Sequence, residues 1–411
     1  MRILRIHNRY QERGGEDVCF EAEVDLLRAH GDEVQVVIVS NDVIRADRSP
    51  LTSARLAAST VWSREGRRRV GAAIEAHRPD VAHFDNTFPL ISPAAYLACR
   101  ERGVAVVQTL HNYRPLCPGA AFYRDGRPCE DCLGKLVALP GIVHGCYRES
   151  RSQTAVVAAM NAFHQLRGTW RHDVDRYIAM TRFERDKFIA GGFPADRIVI
   201  KPHFVDPPAP PPQGDRRGLL YVGRLADGKG VPALLEAWQQ EPHMPLTIVG
   251  DGPLSEQVAA IAARRPALHY LGRRSGGEIA RLMGQAELLV SPSRFYETFG
   301  RVAIEAFAQG TPVLASRHGA IGEVVADGRT GLHFDPAVAG DLAAKLRWAA
   351  EHPAELRRMG DAARVAYAAS YTPERNYQLL MAIYRDAIAA ARSRTASPRP
   401  QHTVLDREGL T

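Results

Sequence analysis

The feature that most constrains this 411-residue chain is an alternation that runs, stops and runs again. In the first half, apolar runs suited to strands (Arg2–His7, Val34–Ser40, Val81–Phe84, Val104–Leu110, Arg176–Met180) take turns with helical patterns (Asp17–Ala29, Arg67–Ala76, Pro93–Arg102, Gln153–Arg171, Arg182–Ala190). Strand and helix in turn call for a parallel sheet covered by helices on both faces. The stretch Pro202–Gly214 is too rich in proline to continue a helix or a central strand. The alternation then resumes, with strands at Gly218–Val222, Leu246–Val249, His269–Leu271, Leu288–Ser291 and Pro312–Ala315. Its helices are Pro232–Gln240, Ser255–Arg264, Glu278–Met283, Phe299–Gln309 and Ile321–Ala326, followed by Gly340–Glu351, Pro353–Tyr371 and Pro373–Arg392. The expected organisation is an N-terminal α/β domain (1–201), a linker (202–217), a second α/β domain (218–372), a C-terminal helix (373–392) and a polar, disordered tail (393–411). Two such domains suit the chain length and face each other across a cleft.

Composition narrows the function classes. With 45% apolar and 24% charged residues, the chain is that of a soluble globular protein. No run has transmembrane length, and Arg2–His7 reads as a first strand rather than a signal peptide, so a cytoplasmic location is expected. The net charge of +7 rests almost wholly on arginine and is spread among acids. Two segments are exceptions that suit peripheral contact with an anionic membrane face: Arg64–Arg69, and the apolar Ala155–Trp170 followed by Arg171-His172. Solvated helix faces and ordinary core packing are the plainer explanation of both.

The chemistry concentrates at strand ends. Glu297 and Glu305 stand eight positions apart in Glu297-Thr298-Phe299-Gly300-Arg301-Val302-Ala303-Ile304-Glu305, after the strand at Leu288–Ser291. Strand, loop acid and helix acid put both carboxylates at the carboxyl edge of a parallel sheet, where open α/β sheets bind ligands. The helix start near Thr298–Arg301 offers free N–H groups and a positive dipole to an anion. Gly223-Arg224-Leu225-Ala226-Asp227-Gly228-Lys229-Gly230 sets Arg224 and Lys229 on one loop before another helix, which suits a diphosphate. Gly250-Asp251-Gly252 and Gly14-Gly15 are glycine turns that permit close backbone approach. His111 ends a strand and projects toward the cleft. Cys117, Cys129, Cys132 and Cys146 cluster in a loop-rich insertion at about 112–150, and in a reducing compartment the spacing suits a structural Zn(II) rather than disulfides. Asp173-Val174-Asp175 looks like a metal-binding D-x-D, but its place between helix and strand suits a turn.

Taken together, these residues resemble the retaining glycosyltransferases of family 4, which have the GT-B fold: two Rossmann-like domains around a cleft, with C-terminal helices. The resemblance runs from Arg2 to about Arg392 and is strongest at Ser291–Glu305, the E-x7-E element. It implies a hexosyltransferase that moves a sugar from a nucleoside diphosphate to a saccharide or lipid-linked hydroxyl, with retention and no catalytic metal, in bacterial cell-surface polysaccharide or glycolipid synthesis. Arg224 and Lys229 would grip the diphosphate, and Glu305 the ribose. Glu297, with backbone near Phe299 and Gly300, would orient the sugar. His111 would contact the sugar near its reacting face. Gly15 would border the diphosphate, Gly250 would line the donor side, and Gly272-Arg273 would border the base. His203 departs from the pattern, standing where Asn is usual. The rivals are a sugar-nucleotide epimerase on the same scaffold, and a zinc-stapled nucleic-acid-binding protein using Tyr113, Phe122, Tyr123, Arg124 and Arg127. The second leaves the E-x7-E and Arg224/Lys229 loops without a role, so no nucleic-acid partner is expected.

Overall fold

A computed structural model describes residues 1–12, 14–45, 49–206, 216–240 and 244–396. Six parallel strands form the first sheet: β1 (Arg2–Arg9), β2 (Glu33–Ser40), β3 (Val81–Asn86), β4 (Ala105–Thr109), β7 (Arg176–Ala179) and β8 (Ile198–Ile200). Their order is β2-β1-β3-β4-β7-β8. A small antiparallel hairpin, β5 (Tyr123–Arg124) and β6 (Arg127–Pro128), stands apart. The second sheet comprises β9 (Leu219–Val222), β10 (Leu246–Val249), β11 (Leu268–Gly272), β12 (Leu288–Ser291), β13 (Val313–Ser316) and β14 (Gly331–Phe334). It is also parallel, in the order β11-β10-β9-β12-β13-β14. Counted within its own domain this order is 3-2-1-4-5-6, the dinucleotide-binding topology.

The expected two-domain α/β architecture is therefore present. The inner strands β3, β4, β12 and β13 are buried at every position, as parallel strands covered by helices on both faces must be. Each sheet reverses its direction of growth once, between β1 and β3 and between β9 and β12. Crevices at the carboxyl ends of such reversals are where these sheets hold ligands.

Some elements differ from the expected ones. The pattern at Gln153–Arg171 is two helices, Arg151–Leu166 and Thr169–His172, parted at Gly168. Strands β8 and β14 have three and four residues, too few to display a period. A helix at Pro50–Val61, capped by Ser49, was not anticipated. The last helix runs from Pro373 to Ala396, past the expected end at Arg392. Residues 207–215 of the expected linker and 397–411 of the expected tail lie outside the described residues.

The last helix does not pack on the domain that precedes it in sequence. Leu380, Met381, Tyr384, Ala387 and Ala391 are buried against Ile3, Val81, Ala105, Val107 and Ile178 of the first sheet. The Tyr384 hydroxyl lies 2.7 Å from His83 Nδ1, and Arg176 pairs with Asp386. The chain thus crosses between domains twice and ties them together. Because Leu380 is fully buried, Leu380→Ala should cost about 3 kcal/mol. Hydrogen exchange should then rise in β3 and β4 and stay unchanged in β9 and β12. The reverse pattern would contradict this placement of the helix.

Candidate active site

The cleft site begins where β9 and β12 lie side by side with no strand between. The loop after β9 turns through a single 3-10 turn, Asp227–Lys229, into the helix Val231–Gln240. At Gly230 the backbone has φ +73°, and a Cβ there would fall 1.8 Å from the carbonyl oxygen of Pro292. Only glycine lets the loops after β9 and β12 touch this closely. Lys229 Nζ consequently meets Glu297 Oε1 at 2.6 Å, with Ser293 Oγ 2.5 Å from the same oxygen. The Lys229 ammonium also lies 4.9 Å from the centre of the Phe295 ring.

Glu305 is one turn into the helix Arg301–Ala308. Desolvation raises its carboxyl above the ordinary carboxylate value, with Arg301, 3.4 Å away, opposing. Gly300 begins this helix with no side chain to cap it; the Ala303 N–H donates to the Gly300 carbonyl at 2.9 Å, which leaves the N–H groups of Arg301 and Val302 for a ligand. Phe299 is buried, with its ring edge-on to Tyr371 at 6.1 Å. Arg224 is exposed and reaches across the cleft to within 3.7 Å of Glu12.

The other glycine positions form a second group, one and two strands away from β9. Gly250 at the end of β10 has φ +142°, and a Cβ there would sit 1.8 Å from the carbonyl oxygen of Gly223. Its close approach is therefore to the neighbouring loop. The Gly250 N–H donates to the Gly272 carbonyl at 2.9 Å, and exposed Arg273 pairs with Asp251 at 3.2 Å.

The facing wall comes from the first domain. Gly14 begins the helix Gly15–Ala29, with Asp17 accepting from the Gly14 N–H at 2.8 Å. Among the described residues nothing lies within 4 Å of where a Gly15 side chain would begin, so the space beside the backbone there is open. The carbonyl of His111 accepts from Thr298 Oγ1 at 3.2 Å, and Tyr113 donates to the Glu297 carbonyl at 3.3 Å. The loop carrying His111 thus rests on the loop carrying Glu297.

Sequence reasoning missed what holds His111. Its Nε2 lies 3.0 Å from Asp85 Oδ1; Asp85 Oδ2 accepts from Arg5 at 2.6 Å; Arg5 donates to Glu23 at 3.0 Å; Glu23 accepts from Lys201 at 2.6 Å. All five side chains are buried. Burial raises Asp85, but Arg5, His83 and His111 hold it well below the ordinary value. Burial lowers His111, yet the Asp85 hydrogen bond and the charges of Glu16, Asp85 and Glu23 leave it raised above 6.5. His203 stacks on His111 with ring centres 5.5 Å apart and meets Phe299 edge-on at 5.4 Å. Burial, with His111 and Lys201, drives His203 well below the ordinary imidazole value. A protonated His111 on a neutral His203 is the arrangement these partners favour. Glu16, to which no role was assigned, is raised chiefly by burial, and Asn112 Nδ2 lies 3.5 Å from its Oε2. The one available signal was charge within apolar strands: Arg5 inside β1 and Asp85 near the end of β3.

Among the described residues no group of three or more His, Cys, Asp or Glu side chains is placed to hold a metal ion, so the structure lends no support to the expected Zn(II) at Cys117, Cys129, Cys132 and Cys146. The insertion has a core after all: Tyr113, Leu116, Cys117 and Phe122 join the main cluster of the first domain. Burial raises the Cys117 thiol, and burial together with the neighbouring cysteines raises those of Cys132 and Cys146. The same burial removes Tyr113 and Phe122 from any role in stacking on nucleic-acid bases. The basic run at Arg64–Arg69 is balanced locally: Glu65 pairs with Arg68 and Arg69, and Glu101 with Arg67. Asp173 pairs with Arg167 and Asp175 accepts from the Val106 N–H, so both serve the fold.

A group whose folded value is raised stabilises the fold fully below its unfolded value and loses that contribution as pH rises through the folded one. For His111 the loss therefore begins above about 6.5. NMR titration of Asp85→Asn should place the His111 transition below that of the parent protein. An unchanged transition would show that Asp85 does not set the charge of His111.

Residues 14–203 match the family model described as Glycosyl transferase 4-like domain, and residues 205–366 match Glycosyl transferases group 1. The alpha-D-kanosaminyltransferase of Streptomyces kanamyceticus is 26% identical over 332 residues, 78% of each chain. The sulfoquinovosyl transferase of Arabidopsis thaliana is 26% identical over 335 residues, 77% of this chain and 59% of its own. A glycogen synthase of Mycobacterium tuberculosis is 32% identical over 195 residues, 46% of each chain, so the match spans about half of that relative. Sucrose-phosphate synthase from Thermosynechococcus elongatus superposes with a TM-score of 0.69 at 19% identity, covering 95% of this chain and 100% of the other. HepE of Anabaena, solved in complex with UDP, gives 0.64 at 18% identity, covering 94% and 100%. At these identities the structural likeness is one of fold. With the two family matches laid end to end across a two-sheet cleft, the chain belongs to the glycosyltransferases of the GT-B fold.

Proposed function

We propose that this glycosyltransferase is a retaining hexosyltransferase that moves a sugar from a nucleoside diphosphate to a hydroxyl of a saccharide or lipid-linked acceptor. The observation that carries this reading is the 2.6 Å Lys229–Glu297 pair beside the uncapped helix at Gly300, in the crevice between β9 and β12. Lys229 and Arg224 would take the diphosphate, releasing Glu297 to the sugar hydroxyls. Glu305 would hold the ribose, Gly272-Arg273 would border the base, and Gly250 would support the donor loop. Gly15 and His111 would meet the diphosphate and sugar from the facing wall.

In the proposed step the bond from the anomeric carbon to the leaving phosphate oxygen breaks, and a bond to the acceptor oxygen forms on the same face. The acceptor proton passes to the leaving diphosphate. That diphosphate gains negative charge, which Arg224, Lys229 and the helix dipole are placed to stabilise, so the reading assigns no catalytic metal. The acceptor class agrees with the polysaccharide- and glycoside-forming names of several relatives and points to surface polysaccharide or glycolipid synthesis. No helix among the described residues is long and apolar enough to cross a membrane. A lipid-linked acceptor would accordingly be met at the inner membrane face, by a cytoplasmic protein in peripheral contact.

Thermal unfolding of the parent protein with UDP, GDP and their sugars is the test, because a ligand that binds only the native state raises the melting temperature. One nucleotide should stabilise the protein, and Lys229→Ala should abolish the effect while lowering turnover on the order of a hundredfold. Equal stabilisation of parent and variant would remove Lys229 from the donor site.

A further inference from the structure

The four-cysteine insertion has no role in the reading above, yet it crosses the cleft. Its hairpin lies on the loop after β9. The Tyr123 hydroxyl donates to the Asp227 carboxylate, and the Tyr123 ring closes over Gly228, where a Cβ would be 3.4 Å from Cε1. Phe295 meets the same ring edge-on, with centres 6.4 Å apart. At the hairpin tip, a Cβ on Gly126 would lie 3.3 Å from an Arg294 nitrogen, and Arg294 in turn reaches Asp227 at 3.6 Å.

Deeper in the cleft the same segment meets the loop after β12. Phe122 lies against Tyr296, with ring centres 6.2 Å apart, and Glu130 reaches the Tyr296 hydroxyl. Lys187 pairs with Glu130 at 2.6 Å and lies 5.3 Å from the Tyr296 ring. Tyr113 adds its bond to the Glu297 carbonyl. One stretch of the first domain therefore touches both loops that carry Lys229 and Glu297.

We propose that residues 113–130 form a clasp that holds the Asp227–Lys229 turn and the Arg294–Glu297 loop in register for a nucleoside diphosphate, with Tyr123 as the positioning residue. The substrate named here rests on the function proposed above; the clasp itself rests on the contacts. The physical advantage is preorganisation. An Asp227–Lys229 turn free to move would have to be ordered by the ligand, at the expense of affinity. Burial, and then the bond to Asp227, raise the Tyr123 phenol to about 12, so it remains a hydrogen-bond donor throughout the neutral range. The insertion has its own anchor, since Tyr113, Leu116 and Phe122 are fixed in the first-domain core. The hairpin is thus carried by a rigid base on one side of the cleft and bears on a small turn on the other.

The test uses the full chain with Tyr123→Phe, Asp227→Ala and the double variant. In unliganded protein, hydrogen exchange should quicken in residues 224–230 of Tyr123→Phe and stay unchanged in β9 and β12. Calorimetric titration with UDP and GDP should show binding weakened about threefold to tenfold by either single change. The double variant should bind no more weakly than the weaker single one, because either change already removes the Tyr123–Asp227 bond. Unchanged exchange at 224–230 would overturn the clasp, as would additive losses in the double variant. Faster exchange throughout both sheets would reduce Tyr123 to a stability residue and overturn it as well. If the parent protein binds neither UDP nor GDP, the donor reading fails, and the exchange measurement alone decides the clasp.

Discussion

Two opposite charges held 2.6 Å apart, Lys229 and Glu297, are the contact on which the rest of the cleft depends. They meet because the second sheet leaves β9 and β12 adjacent and because Gly230 lets their loops touch at Pro292. Both side chains are partly exposed to solvent, so the pair contributes no more than about 1 kcal/mol to stability. A contact that weak is readily exchanged. A diphosphate carries more negative charge than one carboxylate and would displace Glu297 from Lys229 at little expense to the fold. On the proposed reading, the pair is a resting arrangement that a ligand would open.

The facing wall is built on the opposite principle. Lys201, Glu23, Arg5, Asp85 and His111 form a chain of charges out of contact with water. Such networks generally add little stability over well-packed apolar side chains, and breaking one partner away is costly. Their presence beneath a cleft histidine is better explained by what they do to it. Asp85 fixes the ring through Nε2 and favours the imidazolium, while neutral His203 covers its face. Lys201 and His203 lie on the crossover between the domains, so the support of His111 includes the segment that joins the two halves of the cleft. On the proposed reading, exchangeable contacts on one wall and a firmly held histidine on the other suit a reaction in which one anionic group departs and the remaining groups stay in place.

Much of this was legible in the sequence because the signals were local. The strands at Leu246–Val249 and Leu288–Ser291 and the helix at Arg182–Ala190 fall where periodicity placed them. Glu297 and Lys229 were found because strand, glycine turn and helix follow one another within a dozen residues. The partners of His111 were not, since Arg5 and Asp85 are 80 positions apart and Lys201 is 178 from Glu23. No local pattern encodes such pairings. The surroundings of the cysteines were hidden for a related reason: spacing does not reveal that Leu116, Cys117 and Phe122 sink into an existing core. Gly250 was read as lining the donor side; that a Cβ there would sit 1.8 Å from the Gly223 carbonyl oxygen depends on a neighbouring loop and was not visible locally.

The most direct test of the account is a crystal structure of the protein with a nucleoside diphosphate sugar bound. The account predicts the diphosphate at the start of the helix Arg301–Ala308 and within hydrogen-bonding distance of Lys229 Nζ. Glu297 would be released to the sugar, and the anomeric carbon would face His111. A donor bound elsewhere in the cleft, with the Lys229–Glu297 pair intact, would contradict it.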